Sequence, residues 1–253
     1  VHLSLPAYLL LGATGLVAGL VDAIAGGGGL IALPMLLNLG FPVPLALGTN
    51  KLQSCIGTTT ASRHYIHSGV VKLSDCWLGA AFAFAGALIG ARTVTLIDSG
   101  FLARTVPWLL AAIFLYSIFR PQVGQADRPP RMSRTAFFPV AGLLLGFYDG
   151  FFGPGAGAFW TIALVLALGQ NFMAATGQTK VMNLASNSAA VLFFIASGKV
   201  VFSAGLVMAV GQIAGARVGA GLVVKNGARF VRPIFLAVVA LTLARLIWVA
   251  SHR

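Results

Sequence analysis

Residues 19–37 read GLVDAIAGGGGLIALPMLL, and residues 146–164 read GFYDGFFGPGAGAFWTIAL. Both stretches carry a Gly, an Asp three residues later, and another Gly four residues after the Asp. Asp22 therefore matches Asp149, Gly26 matches Gly153, and Gly28 matches Gly155. The sequence around them is strongly apolar, where a carboxylate is costly and a glycine run cannot propagate a helix. A charged residue at the centre of a membrane helix costs roughly 2.5–3.5 kcal/mol on insertion scales. A doubled Asp–Gly pattern in such surroundings points to broken helices at membrane depth, where irregular backbone is tolerated only beside protein or a watery cavity.

The repetition extends outward. ALGTNKLQSCIG at 46–57 returns as ATGQTKVMNLAS at 175–186, aligning Lys51 with Lys180. GALIGAR at 86–92 returns as GQIAGAR at 211–217, aligning Arg92 with Arg217. The copies meet at RPQVGQADRPPRMSR, 120–134, a polar, proline-containing stretch that reads as a linker. The domain reading is a first transmembrane repeat over 1–120, a cytoplasmic linker over 121–134 and a second transmembrane repeat over 135–253.

Composition supports a membrane chain. Of 253 residues 58% are hydrophobic and 9% charged. A soluble domain is nearer about 45–50% apolar and about a quarter charged. Apolar segments are expected near 5–24, 28–39, 44–67, 74–96 and 102–119, then near 136–151, 156–169, 172–197, 202–223 and 230–250. The runs do not alternate as barrel strands would. The fold class is all-α and polytopic, with two inverted-topology repeats of about five segments and short broken or re-entrant helices at the glycine turns. The second segment of each half is short and bounded by Gly or Pro, a pattern that points to a transporter binding site near the midplane. No signal-peptide pattern is evident, because the first apolar run continues into the glycine motif.

The net charge is +12. The basic residues are scattered at the ends of apolar runs, so they read as topology signals and not as a nucleic-acid surface. Arg120, Arg128, Arg131 and Arg134 put the linker in the cytoplasm, and both termini then fall outside. Cys55 and Cys76 belong to no metal or redox motif. His64 and His67 read as interfacial, and Arg92 and Arg217 as span ends behind close-packing glycines. No cofactor, metal or catalytic constellation is expected, so the chain does not read as an enzyme.

Asp22 and Asp149 are candidates for a coupling or a structural charge, since an Asp can also cap a helix break. Lys51 and Lys180 each need a partner when buried, either an Asp of the preceding motif or an anionic ligand. Gly26, Gly27, Gly28, Gly153 and Gly155 would aim backbone N–H groups at an anion, or serve close helix packing. Thr49, Asn50, Gln53 and Ser54 in the first half complete a polar lining. Gln178, Thr179, Asn183 and Asn187 do so in the second. The expected partners are a small anion and the lipid bilayer, with a homodimer allowed. Alanine at Lys51 or Lys180 is expected to abolish anion binding while leaving expression intact.

The stretches GLVDAIAGGGGLIALPMLL, ALGTNKLQS, GFYDGFFGPGAGAFW, TKVMNLASN and GARVGAGLVVKNGARFVRP resemble the sulfite exporter family TauE/SafE, also called the toluene-sulfonate uptake permease family, and its YfcA-like branch in particular. That resemblance covers nearly the whole chain. It implies a transporter of the bacterial inner membrane for small sulfur-containing anions: sulfite, thiosulfate, sulfonates or sulfoacetate. An alternating-access carrier and an uncoupled anion channel both fit these residues.

Overall fold

The computed structural model describes residues 3–96 and 124–251. The expected fifth segment, 102–119, lies outside the described residues, as do Arg104, Arg120 and residues 121–123 of the linker. The described helices are α1 (Leu5–Ala25), α2 (Gly29–Asn38), α3 (Val43–His67), α4 (Trp77–Val94), α5 (Arg134–Phe151), α6 (Ala156–Leu168), α7 (Phe172–Ala196), α8 (Phe202–Asn226) and α9 (Ala228–Ser251). A 3-10 turn at Leu73–Asp75 precedes α4. Four of these helices, α1, α4, α7 and α8, are long and apolar enough to cross a membrane.

Local chemistry sets the helix ends. Pro6 opens α1, where its missing N–H costs nothing. Gly26 closes it in the left-handed region at φ 74°, which a side chain would resist. Ser133 and Asn171 cap α5 and α7 by accepting the N–H of Ala136 and of Ala174. Asp127 accepts from both the backbone and side-chain nitrogens of Asn171, fastening the linker to the start of α7.

Glycine seams fix the helix directions. Gly15 of α1 lies on Met208 of α8 and Gly19 on Gln212, so α1 and α8 run parallel. Gly86 of α4 lies on Leu143 of α5 and Gly90 on Phe147, so α4 and α5 also run parallel. Along α3 and α7 the register reverses: Gly48 meets Phe194, Cys55 meets Ser188, and Tyr65 meets Gly177. Thus α1, α3 and α8 point one way, and α4, α5 and α7 point the other.

The two short helices turn back. The end of α6 hydrogen-bonds the linker, through Arg128 N–H to Gly169 O and Arg131 N–H to Ala167 O, so it returns to the end where α5 begins. Likewise α2 ends next to the start of α3, at the end where α1 begins. Each pair, α1–α2 and α5–α6, is a re-entrant hairpin, and the two tips meet inside the protein. A methyl on Gly26 would sit 2.5 Å from Gly157 Cα, so only glycine allows that approach.

The sequence halves are not the packing units. Helix α1 makes its most extensive contact with α8, and α4 with α5. Eight of the described helices therefore form two intertwined bundles, α1–α2–α3–α8 and α4–α5–α6–α7, and α9 packs on α1, α7 and α8. The bundles meet along the α3–α7 seam and at the hairpin tips.

Candidate functional site

The tips enclose a small polar cavity lined by Asp22, Gly26, Gly29, Asn50, Lys51, Ser54, Asp149, Gly153, Ala156, Gly157, Asn183 and Asn187. It draws on α1 and α5, the first turns of α2 and α6, and the middles of α3 and α7. Two ion pairs frame it. The Lys51 ammonium donates to Asp149 Oδ1 at 2.6 Å and to Asn187 Oδ1 at 3.1 Å. Lys180 donates to Asp22 Oδ2 at 3.0 Å and also to the Asp22 main-chain carbonyl. Each lysine thus pairs with the aspartate of the opposite half, and not with that of the motif preceding it. Repeat alignment alone cannot reveal this crossing. Lys51, Lys180 and Asp149 are almost completely buried, and such charges persist only when paired.

The two aspartates differ in their surroundings. Asp149 also accepts from the Ser186 hydroxyl on its second oxygen, so both its oxygens are satisfied by side chains. Asp22 instead accepts the backbone N–H of Gly28 on Oδ1 at 3.3 Å. Ser186 carries no repeat signal, because the repeat aligns it with Gly57, which has no hydroxyl.

The remaining expected residues divide. Asn50, Asn183, Ser54 and Asn187 line the cavity. Asn183 Oδ1 is a buried acceptor with no hydrogen-bond partner, so a donor is wanted there. Gln53 lies just behind and donates to Asn50 Oδ1 at 2.9 Å, orienting that amide. Thr49 faces away and caps the backbone of Val201. Thr179 shares a hydrogen bond with Thr161 of α6, and Gln178 is buried outside the lining. The glycine turns are largely self-satisfied: Gly26 N–H bonds Asp22 O, and Gly153 N–H bonds Tyr148 O. Gly27, Gly28 and Gly155 shape the tips without lining the cavity. The free N–H groups beside the cavity belong instead to Gly29 and Gly157 in the first turns of α2 and α6, where a helix leaves its donors unpaired, while Ala156 N–H bonds Gly153 O. Gly29 and Gly157 close the glycine turns 26–29 and 153–157, and the short helix after each turn offers its N-terminus there. Among the described residues no cluster of His, Cys, Asp or Glu could hold a metal ion.

The lysines and aspartates of the two halves are thus paired across two re-entrant tips. The model of the sulfite exporter TauE/SafE family matches residues 11–246. The chain belongs to the TauE/SafE family. It is 42% identical over 233 residues to the probable membrane transporter protein YfcA of Escherichia coli K12, an alignment covering 92% of this chain and 87% of that protein. A probable membrane transporter protein of Haemophilus influenzae is 40% identical over 234 residues, covering 92% of each chain. The probable membrane transporter protein ORF9 of a Sinorhizobium species is 39% identical over 228 residues, covering 90% of this chain and 87% of the relative. This is a multi-pass membrane protein of a transporter family.

Proposed function

We propose that the protein is a secondary transporter that moves a small sulfur-containing anion, of sulfite, thiosulfate, sulfonate or sulfoacetate type, by alternating access. The family's name supports the substrate class. The crossed ion pairs at the touching hairpin tips carry the reading. They place Lys51 and the amides of Asn50, Asn183 and Asn187 around one cavity, and buried amides and an ammonium suit oxyanion oxygens. Asp149 and Asp22 offset both lysines, so a bound anion competes with a carboxylate for its ammonium. A proton on that carboxylate removes the competitor, which supports proton coupling.

The helix directions support reading the halves as inverted-topology repeats over 1–120 and 135–253, joined by a cytoplasmic linker over 121–134. The moving bodies are then the two intertwined bundles and not the repeats themselves, since each repeat's first helix is packed on the other's fourth. The deciding experiment is thermal unfolding of the purified protein in detergent against sulfite, thiosulfate, sulfoacetate, sulfate, chloride and acetate. A ligand that binds only the folded state at 100 times its dissociation constant stabilises by about 2.7 kcal/mol. Selective stabilisation by one sulfur anion is expected. An equal response to every anion, or none, would sink the substrate assignment.

A further inference from the structure

The two hairpin tips, equivalent in sequence, are held shut by different chemistry. In the second hairpin the Tyr148 hydroxyl donates to Pro154 O at 2.5 Å, stapling the tip from the last turn of α5. Position 148 aligns with Val21, which has no hydroxyl, so the first tip lacks that staple. Its turn is held by Asp22, whose Oδ1 accepts the Gly28 N–H at 3.3 Å while its Oδ2 takes Lys180. Gly28 immediately precedes α2 and its carbonyl accepts the N–H groups of Ile31 and Ala32, so it anchors the first turn of that helix. Both aspartates border the cavity, but the Asp22 side chain is 13% exposed, whereas that of Asp149 is 5% exposed with a side-chain donor on each oxygen.

We propose that Asp22 is a proton-operated latch on the first hairpin tip, and that the second tip, held by Tyr148, does not respond to protons. A proton from solvent adds to the Asp22 carboxylate, which loses its negative charge. Lys180 keeps its bond to the Asp22 main-chain carbonyl, so its ammonium stays anchored but is no longer neutralised. The Gly28 N–H loses an ionised acceptor, and charge-assisted hydrogen bonds are roughly twice as strong as neutral ones. The tip loosens from Gly157 as the site gains one uncompensated positive charge. Proton binding, anion attraction and movement of α2 are thereby joined at one side chain. The groups facing Asp22 are Lys180 from α7, Tyr65 and Lys51 from α3, and Asp149 from α5 across the cavity. Helix α8 presents neutral Gln212 to α1, and the described ionisable side chains Arg217, Lys225 and Arg229 of α8 and α9 are exposed.

This proposal deepens the transport reading and rests on it for its purpose, but its test needs no substrate. Hydrogen–deuterium exchange of the purified protein is followed at residues 26–32 and 153–159 from about pH 7 to about pH 3, a span that brackets the aspartate value of model peptides, and corrected for the intrinsic pH dependence of exchange. Protection at 26–32 is expected to fall about tenfold on acidification, the equivalent of about 1.4 kcal/mol, while 153–159 stays constant. Asp22→Asn is expected to show the low protection at every pH. Tyr148→Phe is expected to loosen 153–159 equally at every pH. A pH response shared by both tips, no response at the first, or a wild-type response retained in Asp22→Asn would overturn the latch. The wild-type comparison decides even if a variant does not fold. Uptake of sulfite, thiosulfate and sulfoacetate into proteoliposomes is measured alongside: the absence of all three counts against the transport reading, while the exchange data alone judge the latch.

Discussion

Lys51 and Asp149 lie 2.6 Å apart with almost no access to solvent, so neither charge can turn to water if the other is removed. Truncating one member of such a pair costs about 3–5 kcal/mol, whereas replacing both with apolar residues of similar volume is often neutral or stabilising. Lys51→Ala is therefore expected to lower stability by about 3–5 kcal/mol, which replaces the simpler expectation of intact expression. The double variant Lys51→Met/Asp149→Leu is expected to recover most of that loss. It should still fail to bind thiosulfate, as calorimetry beside thermal unfolding would reveal; binding by the double variant would remove Lys51 from the site. Arg134 and Asp75 offer the contrast: their ion pair, 2.9 Å long, is 48% and 38% exposed. Surface pairs contribute about 0–1 kcal/mol, so Arg134→Ala should change the unfolding midpoint little. At this scale the sequence disclosed which residues carry charge but not how they pair. A repeat equates Asp22 with Asp149 and Lys51 with Lys180, and equivalence says nothing about which copies touch. Ser186, paired by the repeat with a glycine, was invisible for the same reason.

Between elements, small residues decide how closely two helices lie, because lipid provides no hydrophobic drive to bring them together. A methyl on Gly219 of α8 would sit 2.6 Å from Leu20 O and 3.0 Å from Ala23 Cβ of α1, so alanine there must push the helices apart. A methyl on Gly221, two residues on, would meet nothing nearer than His64 at 3.9 Å. Gly219→Ala is expected to destabilise by about 1–3 kcal/mol through overpacking. Gly221→Ala should stabilise by about 0.5–1 kcal/mol, the helical preference of alanine over glycine. Unfolding of the two variants side by side checks both signs; matching effects would refute the seam as the source. The long apolar helices were plain from hydropathy, and the short ones from their Gly and Pro bounds. At 1.5 Å per residue the 10 residues of α2 and 13 of α6 fall short of a bilayer core of about 30 Å. Shortness alone does not say whether such a helix continues or turns back. That direction depends on contacts remote in sequence, such as Arg131 N–H to Ala167 O, which composition does not encode.

Across the whole molecule, the question is which surfaces slide. The α1–α8 and α4–α5 seams are interlocked by glycines against backbone, and sliding them would drive main chain into main chain. The α3–α7 seam carries polar side chains instead, including the Lys51 contact to Asn187 and the contact of Cys55 Sγ with Ser188 Oγ at 3.5 Å. It also joins the two bundles beside the cavity, so the alternating access proposed above would require it to shift. Ser188→Cys, made with Cys76→Ala so that Cys55 is the remaining native thiol, places two sulfurs across this seam. The 3.5 Å between Cys55 Sγ and Ser188 Oγ must shorten to the roughly 2.0 Å of an S–S bond, so the two side chains have to rotate toward each other for the bridge to close. Oxidation is expected to form the bridge, to stop thiosulfate uptake into proteoliposomes, and to do so reversibly, with uptake returning on reduction. Because the bridge forms in the resting contact, it leaves the cavity lining in place, and thiosulfate binding should survive oxidation even as transport ceases. Full uptake with the bridge closed would mean that the two bundles do not move against each other along α3 and α7, and that the anion passes through a fixed pore between the hairpin tips.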